Sequence, residues 1–172
     1  GIAVAARAWR TIYTTNFDRH IEGALADAGK PCQVLAALGD FLLPRPEHAC
    51  EVVKFHGTLS RKETMVLRES DFFARMDLNA AVDQRLRADL LGHSFLFIGY
   101  SFTDTNIRYI WYRMNKLLAE QHASVLPRRS YFVSFGAGPV QPRLLERWNI
   151  DVIELDPADM SASVAALLNG IE

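Results

Sequence analysis

The chain has 172 residues, of which 49% are hydrophobic and 23% charged, proportions that are typical of a globular protein and exclude a disordered or fibrous one. This length predicts one domain with a sizeable core. The 19 Lys and Arg residues against 20 Asp and Glu give a formal net charge of −1, without the basic excess that binding to a nucleic-acid backbone uses. We therefore expect no direct contact with nucleic acid.

Short apolar runs rich in β-branched and aromatic residues alternate with longer segments of helical periodicity, which is typical of βα units around a parallel sheet. In chain order, the predicted elements are a strand at 11–15, a helix at 17–28, a loop at 44–46, a strand at 51–55, a helix at 78–91, a strand at 93–98, a helix at 105–120, a strand at 130–135, a short helix at 142–148, a strand at 151–155 and a helix at 158–168. The run Phe95-Leu96-Phe97-Ile98 has no polar alternation, as expected for a strand covered on both faces. The predicted fold class is therefore α/β, with a parallel sheet and helices on both faces.

Other classes of protein are excluded by length of apolar stretch and by cysteine usage. The longest uncharged apolar stretch, 90–103, is shorter than the roughly 18 residues of a membrane span, so we expect no membrane segment. Cys32 and Cys50 supply neither a disulfide framework nor a zinc ribbon, and we expect a cytoplasmic protein. The chain begins at Gly1 without Met or a signal-peptide charge pattern. We expect it to be a piece of a larger protein.

Polar residues follow three of the predicted strands, where ligands bind in open parallel sheets. After the first strand come Thr14-Thr15-Asn16-Phe17-Asp18. Asn16 by itself is well explained as a helix N-cap, a position that Asn favours. A cap accounts for one polar residue but not for several in a row.

The second and third strand ends carry a histidine and hydroxyl residues, each followed or preceded by glycine. His56 precedes Gly57, which lets the backbone turn or a ligand approach closely; a lone histidine is more often a structural residue. Gly99-Tyr100-Ser101 leads toward Asp104 and a helix. Here the glycine would make a turn and Ser101, Thr103 or Asp104 would cap the helix, or Ser101 and the helix start would hold a ribose or phosphate.

The order of these motifs resembles the sirtuin-like (silent-information-regulator-like) NAD-binding family over roughly residues 9–155. Thr14-Thr15-Asn16-Phe17-Asp18 resembles its Thr-x-Asn-x-Asp segment, Phe55-His56-Gly57 its His-Gly segment, and Ile98-Gly99-Tyr100-Ser101 its Gly-x-Ser segment. The segment Gly99-Tyr100-Ser101-Phe102-Thr103-Asp104 resembles the prokaryotic sirtuin-like effectors of antiphage defence more closely than the protein deacetylases. The resemblance implies a Rossmann-like NAD-binding fold and one sirtuin-like domain over 1–172.

The chain departs from the family at two places. Two distant cysteines cannot build the four-cysteine zinc ribbon of deacetylase sirtuins. The family's first strand and Gly-Ala-Gly-x-Ser phosphate loop should precede Thr14, where only about a dozen residues stand, so we expect the first βα unit to be absent or to lie outside the chain. Gly136-Ala137-Gly138 precedes Pro139 and is interpreted as a turn. These residues alone are then expected to bind NAD+ poorly.

The resemblance implies cleavage of the nicotinamide–ribose bond of NAD+ as substrate, without a metal. Asn16 would position the nicotinamide ribose or the attacking water, and His56 would act as a base or polarise a ribose hydroxyl. The residues implied to bind NAD+ are Thr15, Asp18, Gly99, Ser101 and Asp104. We expect the partners to be copies of the chain or other domains of a defence system.

Two other functions stay open at this point. The same pocket would serve a non-catalytic module that binds NAD+ or ADP-ribose, or the fold would serve oligomerisation alone. An NAD-dependent protein deacylase is a weaker alternative, because the zinc ribbon is missing.

Overall fold

The computed structural model describes residues 9–101, 105–120, 128–136, 143 and 145–171. The chain divides into two compact units: the first runs up to Gln84 and includes the residues from Leu167 onward, and the second is Arg85–Ala166. Each unit contains a three-stranded parallel sheet. The predicted α/β class with parallel strands flanked by helices is confirmed.

The sheet of the first unit has β3 (Cys50–Lys54) in the middle, between β1 (Thr11–Thr14) and β2 (Cys32–Leu35). Every residue of β3 is buried, as its central position requires. The predictions for β1 and β3 are correct within one residue at each end. β2 is absent from the predicted elements, because a four-residue segment with one glutamine is too short to show a strand pattern.

Helix α1 (His20–Asp27) covers this sheet with Leu25, which lies in a buried cluster with Cys50 and Val52. It ends at Asp27, within one residue of the prediction, and Gly29 follows with a left-handed φ of 67°. It begins three residues later than predicted, because the side chain of Asp18 accepts the His20 N–H at 3.0 Å and forms a turn ahead of the helix, whose N-cap is Arg19.

The rest of the first unit is built from short elements that the periodicity of the sequence does not show. They are α2 (Leu38–Phe41), a 3₁₀ turn at Lys62–Thr64, α3 (Glu69–Ala74) and a 3₁₀ turn at Arg75–Asp77. The predicted loop at 44–46 is confirmed. Helix α4 (Ala81–Gly92) begins after the predicted residue 78, because Leu78 adopts a left-handed φ of 56° that a helix cannot include.

The sheet of the second unit is β4-β5-β6, with β4 (Leu96–Phe97), β5 (Ser130–Ser134) and β6 (Ile150–Glu154). The predictions for β5 and β6 are correct within one residue. β4 is much shorter than predicted, because the Phe95 amide donates to the Ser130 hydroxyl at 3.1 Å instead of joining the backbone ladder.

Two helices follow the predictions closely. Helix α5 (Thr105–Glu120) has the predicted bounds, and its Trp111 lies in a buried cluster with Phe132, Leu145 and Ile150. Helix α6 (Met160–Gly170) is preceded by a 3₁₀ turn at Pro157–Asp159. Of the predicted helix at 142–148, residues 142 and 144 lie outside the described residues, 143, 145 and 146 are helical, and 147–148 form a turn.

Asp40 fastens α2 to the segment that follows β3. Its carboxylate accepts the Ala36 and Ala37 amides at 2.8 and 2.9 Å and forms a two-point ion pair with Arg61 at 2.8 and 2.6 Å. Burial acts to raise the pKa of Asp40, but the hydrogen bonds from Arg61 and the two amides outweigh it, so the pKa lies below its ordinary value.

We expect Asp40→Asn to lower the free energy of unfolding by roughly 1–3 kcal/mol near neutral pH, since it weakens hydrogen bonds to a charged group. The lowered pKa means that the carboxylate stabilises the fold above the unfolded pKa of about 3.9 and stops doing so as the pH falls through the folded pKa. Urea unfolding near pH 7 and near pH 3 checks this. A difference between the two proteins that is equally large at both pH values would contradict it.

Candidate active site

Parallel pairing of β1 with β3 brings the first two sequence motifs together. Thr14 is the register partner of Lys54, and the Phe55 amide donates to the Thr14 carbonyl at 2.8 Å. Asn16 and His56 each lie two residues beyond these partners. They therefore leave the sheet side by side at the carboxyl ends of neighbouring strands, which is where open parallel sheets bind ligands.

The segment 15–19 leads from β1 to α1 and carries three of the predicted site residues. Asn16 is exposed, and its backbone amide donates to the Thr14 hydroxyl at 3.1 Å. The helix N-cap that the sequence left open for Asn16 is Arg19, whose side chain makes no capping bond, and Asp18 accepts the His20 amide in the turn ahead of the helix. Thr15 is half-buried. The side chain of Asn16 thus takes no part in starting the helix.

This segment is hydrogen-bonded to the last residue of β3 and to residues that follow the strand. The carbonyl of Phe17 accepts the Leu59 amide at 3.1 Å and the Thr58 hydroxyl at 3.4 Å. The ammonium of Lys54 donates a hydrogen bond to the carbonyl of Asp18. Consequently, Phe17 and Asp18, the two residues directly after Asn16, are each hydrogen-bonded to residues at or just after the end of β3.

The imidazole of His56 is buried and lies between aromatic rings. Its ring meets Phe72 edge to face with centroids 5.3 Å apart, and the ring of Phe55 lies at 5.5 Å. The backbone turns directly afterwards: Gly57 has a left-handed φ of 88°, and the His56 carbonyl accepts the Val66 amide at 2.9 Å. These contacts fix the direction of the ring.

A buried ion pair is bonded to the backbone of Phe55, the residue before His56. The guanidinium of Arg75 donates to the Phe55 carbonyl, lies 4.3 Å from the centre of the Phe55 ring, and is paired with the carboxylate of Asp83. Burial raises the pKa of Asp83, while the Arg75 bonds and the nearby His56 act to lower it. Asp83 has no solvent exposure, so the charges of this pair are neutralised by each other.

The third motif lies in the second unit. Gly99 follows β4 with a left-handed φ of 64° at a bend of the backbone, and Ser101 is exposed. Asp104 lies outside the described residues.

Four residues near the site were not among the predicted ones: Lys54, Glu22, Arg75 and Asp83. Lys54 had a visible signal, since a charged residue directly after Val52 and Val53 in a strand of a buried sheet requires a partner. Glu22 had a weaker one, because it lies between Ile21 and Leu25 on the apolar face of α1. Arg75 precedes the predicted helix at 78–91 and Asp83 lies within it, and nothing in the sequence indicated their pairing.

Other kinds of site find little support in the described ranges. Within them, no three His, Cys, Asp or Glu side chains come together as metal ligands, and no helix is long and apolar enough to cross a membrane. Cys32 and Cys50 are register partners on β2 and β3 with free thiols. Burial raises the pKa of Cys50 to about 11 and also raises that of Cys32, which keeps both as unreactive thiols.

Several relatives that share one name match this chain. The NAD(+) hydrolase ThsA of Cytobacillus dafuensis is 37% identical over 110 residues, which cover 64% of this chain and 22% of the relative. The protein of the same name from Bacillus cereus (strain MSX-D12) is 33% identical over 104 residues, 60% of this chain and 22% of the relative. The protein of the same name from Enterococcus faecium is 28% identical over 165 residues, which cover 85% of this chain and 34% of the relative. The chain spans at most about a third of the length of these relatives.

A family model described as a SIR2-like domain matches residues 10–153. This range contains β1 and β3 with Asn16 and His56, and it also contains the third motif. The sirtuin-like resemblance expected from the three motifs is confirmed. On this match, which covers most of its length, the chain belongs to the SIR2-like domain family.

Proposed function

We propose that the chain is an NAD+ glycohydrolase domain that breaks the nicotinamide–ribose bond of NAD+ with water and serves in prokaryotic antiviral defence. The observation that carries this proposal is the parallel pairing of β1 with β3, which brings Asn16 and His56 to neighbouring strand ends of a SIR2-like chain. The relatives whose printed name is NAD(+) hydrolase support NAD+ as the substrate.

The reaction needs neither an oxidant nor a second substrate besides water. The bonding electron pair between ribose and nicotinamide leaves with nicotinamide and neutralises its ring nitrogen, and the ribose is left as an oxocarbenium-like cation. Water adds to this cation and loses one proton. The products are nicotinamide, ADP-ribose and a proton. A protein catalyst therefore has to orient water, stabilise a cation and accept the proton.

Asn16 is suited to orientation. Its side-chain amide both donates and accepts hydrogen bonds, so it can hold a water or a ribose hydroxyl without a change of charge. It is exposed and stands on a segment whose next two carbonyls are bonded to Thr58, Leu59 and Lys54. The amide thus starts from a fixed backbone position, which lowers the entropy that must be lost in reaching the reactive geometry.

His56 is suited to accepting the proton or polarising a ribose hydroxyl. A neutral imidazole has one nitrogen that accepts a proton or a hydrogen bond. The contacts with Phe55 and Phe72 and the turn at Gly57 orient this ring before substrate binds. The proposed catalytic residues are accordingly Asn16 and His56.

The remaining predicted residues are proposed to bind NAD+. Thr15 and Asp18 stand on the same segment as Asn16, and Gly99 and Ser101 follow β4; Asp104 completes the set. We further propose that the reaction needs no metal, that the protein is cytoplasmic, and that it works with copies of itself or with other domains of a defence system.

The proposal is tested by NAD+ consumption in the natural full-length protein with Asn16→Ala and His56→Ala. Each change is expected to reduce turnover on the order of a hundredfold or more, because each removes a group that acts on the reacting atoms. Asn79→Ala and His93→Ala change exposed residues of the same types outside the site and should keep wild-type turnover.

The products distinguish the proposed function from its alternatives. Release of nicotinamide and ADP-ribose without any acylated peptide supports a glycohydrolase. Recovery of intact NAD+ after incubation would indicate a binding module, and release that depends on an acylated peptide would indicate a deacylase. Equal turnover in the wild type and both site variants would rule out the assignment of Asn16 and His56.

A further inference from the structure

The side chain of Lys54 has an unusual place for a lysine, at the carboxyl end of the central strand β3 and only 1% exposed. A buried ammonium is stable only when its charge is neutralised and its N–H groups are bonded. Glu22 of α1 supplies the opposite charge with 3.0 Å between Nζ and Oε1, and is itself 6% exposed. Both charges of this pair have therefore been removed from water.

The ammonium has a second described partner, the backbone carbonyl of Asp18. Lys54 thus connects three parts of the unit: the central strand, the segment that carries Asn16, and the first turn of α1. The carbonyl that it binds is two residues after Asn16. The neighbouring carbonyl of Phe17 is bonded to Leu59 and Thr58, so the segment is fixed at two consecutive residues.

Stability alone does not account for charges at this position. Two apolar side chains of similar size would fill the same space without desolvation of two ions, and such replacements are often neutral or stabilising. An apolar pair would fail in one respect, because it could not bind the Asp18 carbonyl. The property that requires a lysine here is the attachment of the segment next to Asn16.

We propose that Lys54 and Glu22 are positioning residues that hold the segment 15–19, and with it Asn16, in place for the reaction. Glu22 neutralises the ammonium and directs it, and the ammonium holds the Asp18 carbonyl. Neither residue touches the substrate in this proposal. The inference rests on the proposed function, since the position of the segment matters to catalysis only if Asn16 takes part in it.

The test uses the double variant Lys54→Met/Glu22→Met in the natural full-length protein, because removal of both charges leaves no unpaired buried ion. Hydrogen–deuterium exchange is measured for the segment 15–19 and for β3, together with kcat and KM for NAD+ per folded molecule. We expect faster exchange in the segment, unchanged exchange in β3, and a kcat roughly tenfold to hundredfold lower with a smaller change in KM.

Two further variants complete the design. Arg129→Met/Asp151→Met removes an exposed ion pair of 2.9 Å in the second unit and should change neither exchange in 15–19 nor kcat. Glu22→Gln is the second variant, to use if the double variant does not fold. It keeps the size of the side chain and an oxygen that accepts from Lys54 but removes the counter-charge, and it should move exchange and kcat in the same directions.

Each outcome decides a separate point. Unchanged exchange in 15–19 overturns the proposal, whatever the activity. Faster exchange with unchanged kcat in an active protein overturns the positioning of Asn16 for the reaction. If the wild type consumes no NAD+, the proposed function fails, and the exchange measurement still decides whether Lys54 and Glu22 hold the segment.

Discussion

Gly57→Ala is expected to destabilise the first unit by at least about 3 kcal/mol, because two unfavourable effects act at one residue. The first is backbone strain, since Gly57 has a φ of 88° that L side chains rarely adopt. The second is steric. An added Cβ would overlap the Thr64 carbonyl and come within 2.7 Å of the Met65 nitrogen, and these are backbone atoms that cannot rotate away.

Gly29→Ala is the matched control for this prediction. Gly29 also has a left-handed φ, of 67°, but no atom lies within 4 Å of an added Cβ. Strain alone is expected to reduce the free energy of unfolding by about 1–2 kcal/mol there. Urea unfolding followed by circular dichroism measures both variants. Equal losses at the two glycines would show that the Thr64 backbone does not restrict Gly57.

Asp83→Ala is expected to reduce the free energy of unfolding by about 3–5 kcal/mol, since it leaves the guanidinium of Arg75 buried without its counter-charge. Asp83 has no solvent exposure and Arg75 is 10% exposed, so water cannot replace the lost partner. Arginine remains protonated at any ordinary pH and has no means of losing the charge. Chemical unfolding near neutral pH measures the loss.

Arg75→Met should cost less than Asp83→Ala, because the carboxyl that remains can take up a proton. Burial already raises the pKa of Asp83, and removal of Arg75 takes away the main opposing influence. A carboxyl whose folded pKa is above its unfolded pKa destabilises the fold as the pH rises between the two values. Arg75→Met should therefore regain stability as the pH is lowered from neutral toward about 5, above the ordinary Asp pKa of about 3.9.

The double variant Arg75→Met/Asp83→Leu provides the control for both single changes. It removes both charges and should recover most of the stability that Asp83→Ala loses. A double variant as unstable as Asp83→Ala would contradict this expectation. It would mean that the hydrogen bond from Arg75 to the Phe55 carbonyl, which Asp83→Ala keeps and the double variant loses, contributes as much stability as the unpaired charge costs.

Long elements with strong apolar patterns could be predicted from the sequence. Helix α5 has the predicted bounds because its apolar stripe continues along most of its length, and β5 and β6 are strands of ordinary length in which β-branched and aromatic residues predominate. Elements whose bounds depend on tertiary contacts could not be predicted from the sequence. The start of α1 depends on an Asp18 side chain, and the start of β4 on a hydroxyl of Ser130 that is 35 residues away.

The candidate site was predictable to the same extent. Residues at the ends of parallel strands converge whatever their separation in sequence, so Asn16 and His56 could be expected to lie at one edge of the sheet. The groups that hold them could not be expected in the same way. Lys54 lies 32 residues from Glu22 in the chain, and only the fold brings them to 3.0 Å; a pairing of that kind leaves no periodic trace.

The edge position of β1 has a consequence for the accuracy of the site. In the part of the chain that the structure describes, β1 pairs with β3 alone, so a single ladder sets its register. A slip by one residue would turn every side chain of the strand to the opposite face and carry Asn16 away from its place beside His56. The bonds from Leu59 and Thr58 to Phe17 and from Lys54 to Asp18 can form in one register only. These bonds therefore oppose a register shift of β1 relative to β3.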